Sequence, residues 1–251
     1  MPITALDLQP GDILFKHSSA GAISQAIARG QASHHQALVP RTGPSPMGEQ
    51  QATDITHVAL AIGRDDVMEF DEGGANKAAL MFLSGHGCVR GGMNLPSRSR
   101  KRYEVFSCTF DDLGRVAADK AELLWDVTRQ SRGKVRASYG VRKVLGTAIR
   151  HNHGNALSRE YFQQQLQNWV EVGSSTGWRS AFKSVDVQFF CSEFAAYCYL
   201  WAAAESGAGH VLGPNYLLGT AHARMAPVEL YTRVETAGKR FFKFKGTLYT
   251  H

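Results

Sequence analysis

The segment THVALAIGRDDVMEF, residues 56 to 70, constrains the chain most. Two apolar runs flank the polar stretch Gly63-Arg64-Asp65-Asp66, the pattern of a β-hairpin. Along the first run His57, Ala59 and Ala61 alternate with Val58, Leu60 and Ile62, so the two sets point to opposite faces of a sheet. A turn over Gly63 to Asp65 sets Ile62 against Asp66 and Ala59 against Glu69. Glu69 then lies diagonally beside His57 on one face, within reach of a long side chain. A slip of one residue in the register would separate them. Ala59 and Ala61 are small, which leaves room for a helix over the face they share with His57.

The remaining segments supply partners for this hairpin. Pro10-Gly11-Asp12 is a turn signal running into the buried strand Ile13-Leu14-Phe15. Residues 103 to 110 alternate as a strand, and residues 240 to 249 close the chain as another. Helical spacing appears over 112–130, 157–171 and 190–204, with a short helical pattern over 20–30 that Gly30 ends. The polar stretch 31–55 and the glycine-rich stretch 73–100, with one strand at its start, read as loop insertions that border a cleft. RSRKR, residues 98 to 102, reads as an exposed turn. The expected architecture is a single α+β domain over 1–251, with antiparallel strands on one side and helices packed against them.

Composition excludes several classes. At 251 residues, 43% hydrophobic and 20% charged, the chain has an ordinary globular make-up and the length to bury a core. A formal charge of +6 suits an anionic partner such as a cell wall, a membrane surface or nucleic acid, without choosing among them. The four cysteines, Cys88, Cys108, Cys191 and Cys198, show no C-x-x-C spacing and are too sparse for a disulfide scaffold, so they read as reduced thiols. No apolar run reaches the roughly 18–20 residues of a membrane span. MPITALDLQPGD lacks a basic region followed by an apolar stretch, so the chain is expected to be made in the cytosol without a secretory signal. Export by a route that reads no such signal stays open.

Chemistry centres on FFCSEFAAYCY, residues 189 to 199. A cysteine on an apolar helix is, taken alone, a core residue. A nucleophile needs a base in reach, a group that orients the base, and a setting that favours the thiolate. Cys191 stands where the helical periodicity begins, with Phe194, Ala195, Cys198 and Ala202 continuing its face, and a helix start stabilises negative charge. His57, out of keeping with its apolar neighbours, is the candidate base, and Glu69 is the candidate orienting group. Alone, each has a plainer reading, as a structural histidine and a solvated strand residue. Cys198 reads as core, and Cys88 and Cys108 as inert thiols. Histidines 34, 35, 151, 153 and 222, including the HNHG stretch at 151–154, lack partners at a metal-ligand spacing, so neither metal nor cofactor is expected.

LQPGDILF, THVALAIG with VMEF, and FCSEFAAYCY together resemble the NlpC-type cell-wall peptidases, a papain-like superfamily. In the usual order of that superfamily the cysteine helix comes first; here it follows the Gly-Asp and His-Val strands. That order is similar to the circularly permuted branch, which holds the YiiX-like bacterial proteins and the lecithin:retinol acyltransferase-like proteins. CSEF, the Gly11-Asp12 pair and the downstream LGPNYLL resemble the YiiX-like group. The resemblance covers roughly 50 residues in three blocks spread over most of the chain. It implies a permuted papain-like fold with the nucleophile at a helix N-terminus, Cys191 as nucleophile, His57 as general base and Glu69 as the third residue. Many cell-wall members carry a histidine at that third position, so Glu69 departs from them, although an acidic residue is usual in the YiiX-like set. Asp12 reads as a turn residue rather than a catalyst. The oxyanion donor is unassigned, with the Cys191 backbone N–H as one candidate and Gln188 as a second.

The implied chemistry is acyl transfer through a thioester, without metal or cofactor. The first implied function is an amidase or endopeptidase on peptidoglycan peptides. The unsignalled N-terminus adds the expectation of an antibacterial effector, delivered by a contact-dependent secretion system into a target cell periplasm and countered by an immunity protein. The alternative is a lipid-directed acyl hydrolase or acyltransferase using the same three residues. A binding module that keeps only the fold is a third reading, against which the joint presence of Cys191, His57 and Glu69 argues. No nucleic-acid partner is expected.

Overall fold

Period-2 alternation along the central strands builds one sheet with an apolar cluster on each face. The computed structural model describes residues 2–17, 54–64, 66–69, 91–92, 101–110, 112–130, 135–139, 159–174, 185–189, 191–207, 226–235 and 241–250. Among the described residues nine strands run in chain order: β1 (Pro2–Ile3), β2 (Ile13–His17), β3 (Ile55–Gly63), β4 (Asp66–Glu69), β5 (Gly91–Gly92), β6 (Lys101–Cys108), β7 (Val135–Tyr139), β8 (Val185–Phe189) and β9 (Phe242–Thr250). Four α-helices accompany them among the described residues: α1 (Leu113–Gln130), α2 (Arg159–Ser174), α3 (Cys191–Glu205) and α4 (Pro227–Glu235). Seven strands form one mixed sheet in the order β1-β9-β6-β2-β3-β4-β5, and β7 and β8 pair in parallel as a second. Within the large sheet β1 joins β9 in parallel and the other pairs are antiparallel. The class is α+β.

Helices cover one face. Ile13 and Phe15 of β2, Val58, Leu60 and Ile62 of β3, Met68 of β4 and Phe106 of β6 pack into a cluster with residues of all four helices. Leu14, Ala59, Ala61, Val67, Tyr103, Val105 and Leu248 point the other way, into a smaller cluster closed by Ala5 and Leu8 of the N-terminal segment. The helix expected over Ala59 and Ala61 is therefore corrected: helices cover the Val58, Leu60 and Ile62 face, and the short N-terminal turn covers the alanines. Large β-branched and leucine side chains need a thick apolar layer, which helices supply. The alanines leave space that one short turn fills.

α3 is buried on every side, from Cys191 through Tyr199 and on to Trp201, Ala202 and Ala203, so it is a central helix rather than an amphipathic one. Lys120 of α1 pairs with Glu205 and lies over the Trp201 ring, fastening α1 to the end of α3. α1 keeps Arg115 and Asp119 outside, with Arg115 paired to Asp119 and to Asp112 just before the helix, and buries Ala117, Ala121 and Leu124.

The expected strands and helices at 13–15, 56–70, 103–110, 112–130, 157–171, 190–204 and 240–249 all appear, with shifted ends. The end of RSRKR is corrected from an exposed turn: Lys101 and Arg102 open β6, and Arg102 is ion-paired to Glu104. Ile55, placed in the loop 31–55, is the first residue of β3. The helical pattern at 20–30 and the rest of both loop insertions, apart from Asp54 and the two residues of β5, lie outside the described residues. Strands β7 and β8 and helix α4 carried no sequence signal that stood out. Among the described residues no helix is long and apolar enough to cross a membrane.

The Gly11-Asp12 turn sets where β2 begins. Gly11 has φ +88°, and a Cβ built on it would lie 2.2 Å from the Gly114 carbonyl oxygen at the start of α1. Gly11→Ala should therefore destabilise the fold by about 3 kcal/mol or more. Gly207→Ala, at φ +74° with nothing within 4 Å of the added Cβ, should lose only about 1 kcal/mol. Urea unfolding midpoints of the two variants test the contrast.

Candidate active site

Cys191 is the first residue of α3, as the periodicity predicts, and is 1% exposed. The backbone N–H groups of a helix's first turn have no partner inside the helix, so that end presents donors to any negative charge nearby. α3 packs on β3 and β4, the two strands that carry His57 and Glu69. Cys198, two turns along, is fully buried, and burial pushes its thiol well above the ordinary range. Burial likewise raises Cys108, whose thiol approaches the Phe110 carbonyl. These two match their reading as unreactive thiols; Cys88, His34, His35, His222 and the HNHG stretch lie outside the described residues.

The hairpin register sets Ala59 opposite Glu69, as expected. Near the turn the pairing shifts, so that Gly63 rather than Ile62 stands opposite Asp66. The backbone thus places Glu69 diagonally from His57 on the Ala59 face. His57 is 8% exposed and stands opposite Lys16, which in turn stands opposite Tyr103 of the smaller cluster. Cys191 packs into the larger cluster, on the helix-covered face. The structure therefore brings His57 and Glu69 to one face and sets the core around Cys191 on the other.

A β-bulge interrupts this arrangement beside His57. Lys16 faces His57, but His17 faces Ile55, so Thr56 is an extra residue in β3. Ile55 and Val58, three apart, both join the larger cluster, which a regular strand does not allow. Bulges of this kind raise the local twist and re-aim side chains. Thr56 is buried there, and its hydroxyl makes no hydrogen bond among the described residues.

Asp12, read as a turn residue, is a buried junction. Its carboxylate accepts from Ser107 Oγ at 2.6 Å, Lys245 Nζ at 2.7 Å and the Gln9 N–H at 2.9 Å. With its acceptors engaged by structural donors, it holds strands together rather than serving a reaction. Gln188 lies on β8, one residue short of that strand's end and three before Cys191.

A second titratable group was missed in the sequence. Glu104 of β6 is 1% exposed and sits on the helix-covered face. Its Oε1 bonds His17 Nε2 at 2.8 Å and accepts from Arg102 at 3.0 Å, while its Oε2 accepts from Tyr231 Oη of α4 at 2.8 Å. Burial pushes the Glu104 carboxyl up, but the bonds from His17 and Tyr231 and the charges of His17 and Arg102 outweigh it and hold the group below the usual carboxylate range. The available signal was the alternation of YEVF: it sets Glu104 on the Phe106 side, where a carboxylate is costly unless paired.

In comparisons with known proteins, no family model, no curated protein and no solved structure matches this chain.

A carboxylate held low in the fold adds stability that is present above its unfolded value of about 4.3 and is lost as pH falls through the lower folded value. Glu104→Gln should therefore lose about 2 kcal/mol at neutral pH. The gap to wild type should close in strong acid, where the native carboxyl is protonated. Urea midpoints of both proteins across the acid range give the comparison.

Proposed function

We propose that the chain is a cysteine-dependent hydrolase with a circularly permuted, NlpC-type papain-like fold, acting as an amidase or endopeptidase on peptidoglycan peptides. The observation that carries this reading is the position of Cys191 at the first turn of α3, a helix packed on the strands that hold His57 and Glu69. Cys191 attacks the carbonyl of the scissile amide. Its own N–H and its first-turn neighbours stand at the helix end where an oxyanion would gain from donors. His57 takes the thiol proton and returns it to the leaving amine, with Glu69 on the same face to hold the ring. On the register His57 lies on the Ala59 face and Cys191 in the core of the other face, so this role requires the His57 ring to reach the thiol past the bulge at Thr56. Water then releases the acyl group from the thioester. The formal net charge of +6 suits the anionic wall.

Digestion of purified sacculi tests the proposal, with products read by mass spectrometry. Wild type should release new peptide fragments that locate the cleaved bond, and Cys191→Ala should release them at least about 1,000-fold more slowly. Fatty acid released from phospholipid vesicles, with sacculi left intact, would move the substrate to lipid acyl groups and keep Cys191 as nucleophile. Equal products from wild type and Cys191→Ala would sink the nucleophile assignment.

A further inference from the structure

Lys16 stands at the centre of a row that crosses three strands. It is opposite His57 of β3 on one side and Tyr103 of β6 on the other. Residues 13 to 15 of β2 alternate between the two clusters, which sets Lys16 on the face of Leu14 and Ala59 and away from the core around Cys191. The lysine is partly exposed, and among the described residues it enters no ion pair and no hydrogen bond. Lys120 and Lys245, also partly buried, each hold a carboxylate. Thr56 adds an unmatched hydroxyl at the same place. The bulge makes Thr56 and His57 stand together opposite Lys16, between Ile55 and Val58, which both turn into the helix-covered core. Thr56 is 3% exposed, and a buried hydroxyl without a partner among the described residues is a costly feature to keep.

We infer that Lys16 and Thr56 form a binding site for the carboxylate of a ligand, on the sheet face opposite the Cys191 core. An ammonium and a hydroxyl both donate, and a carboxylate accepts at two oxygens, so each oxygen takes one donor. Neighbouring strands lie about 4.8 Å apart, so donors at one level of β2 and β3 can meet on one small group. Charge selects among the oxyanions. Lys16 brings one positive charge, which a carboxylate matches. A phosphate monoester brings about −1.5 to −2 at neutral pH and would leave charge uncompensated. Lys16 is the more exposed of the two residues, so a carboxylate meets the charge first and the Thr56 hydroxyl deeper in. The choice of a peptide as the bearer of that carboxylate rests on the reading of the chain as a peptide hydrolase; the site itself needs no reaction at Cys191.

Binding of N-acetyl-dialanine to the intact protein, followed by the Thr56 methyl resonance at constant ionic strength, tests this. The free acid should move that resonance to saturation. Its C-terminal amide, which lacks the charge, should bind at least about tenfold more weakly. Lys16→Met keeps an apolar stem without the charge and should erase the advantage of the acid, while Lys16→Arg should preserve it. Thr56→Val, followed at the His57 ring, should weaken the acid about tenfold. Acetate that binds as tightly as the peptide acid keeps the carboxylate site and makes a small free acid its ligand. Equal binding of acid and amide, or no saturable shift by the peptide acid or acetate, overturns the inference, and this comparison within wild type decides even where a variant does not fold. An acid advantage that survives in Lys16→Met overturns it as well. The readout is binding without turnover, so its failure leaves the nucleophile reading of Cys191 standing, and an unreactive Cys191 leaves the site standing.

Discussion

Two consecutive residues, Gly11 and Asp12, tie the sheet to the cysteine helix. The Asp12 carboxylate takes donors from β6, from β9 and from the turn itself, so three parts of the chain converge on one buried charge. Lys245 supplies the compensating charge, without which a buried carboxylate would be expensive. The Gly11 carbonyl accepts the Tyr199 hydroxyl of α3, and the missing Cβ of Gly11 lets the start of α1 close over it. The Gly11 N–H and the Asp12 carbonyl also bond Ala61, joining the turn to β3. The height of α3 along the sheet, and with it the position of Cys191, follows from these short-range bonds rather than from apolar packing alone.

Apolar packing supplies the rest, and it explains which parts of the molecule were legible beforehand. Alternation along β3 is a local property, so the hairpin and the Ala59–Glu69 register follow from residues 56 to 70 by themselves. Which face a helix covers is not local. Both faces of β3 are apolar, and the choice depends on α1 and α3, which arrive from far along the chain. Small alanines suggest room for a helix, whereas helices settle against Val58, Leu60 and Ile62, which fill the gap between sheet and helix. The bulge at Thr56 was invisible for a related reason: it exists only in the pairing of β3 with β2, and neither strand announces it alone.

The start of α3 was legible because a phenylalanine pair gives way there to helical spacing. Its complete burial was not, since spacing at three and four suggests a one-sided helix. The aromatic residues show why both sides are covered: Tyr197 and Trp201 meet Phe162 of α2, while Tyr199 meets Phe242 of β9. A helix enclosed in this way holds its first residue firmly, which suits a reacting group that must stay in place.

The two histidines differ in what surrounds them. His57 shares its face with alanines, and its partner in register, Lys16, is a cation across the strand. His17 faces a carboxylate fastened by two further donors. The Glu104 carboxylate is buried in an apolar core, where its charge would be costly without its three donors, His17, Arg102 and Tyr231.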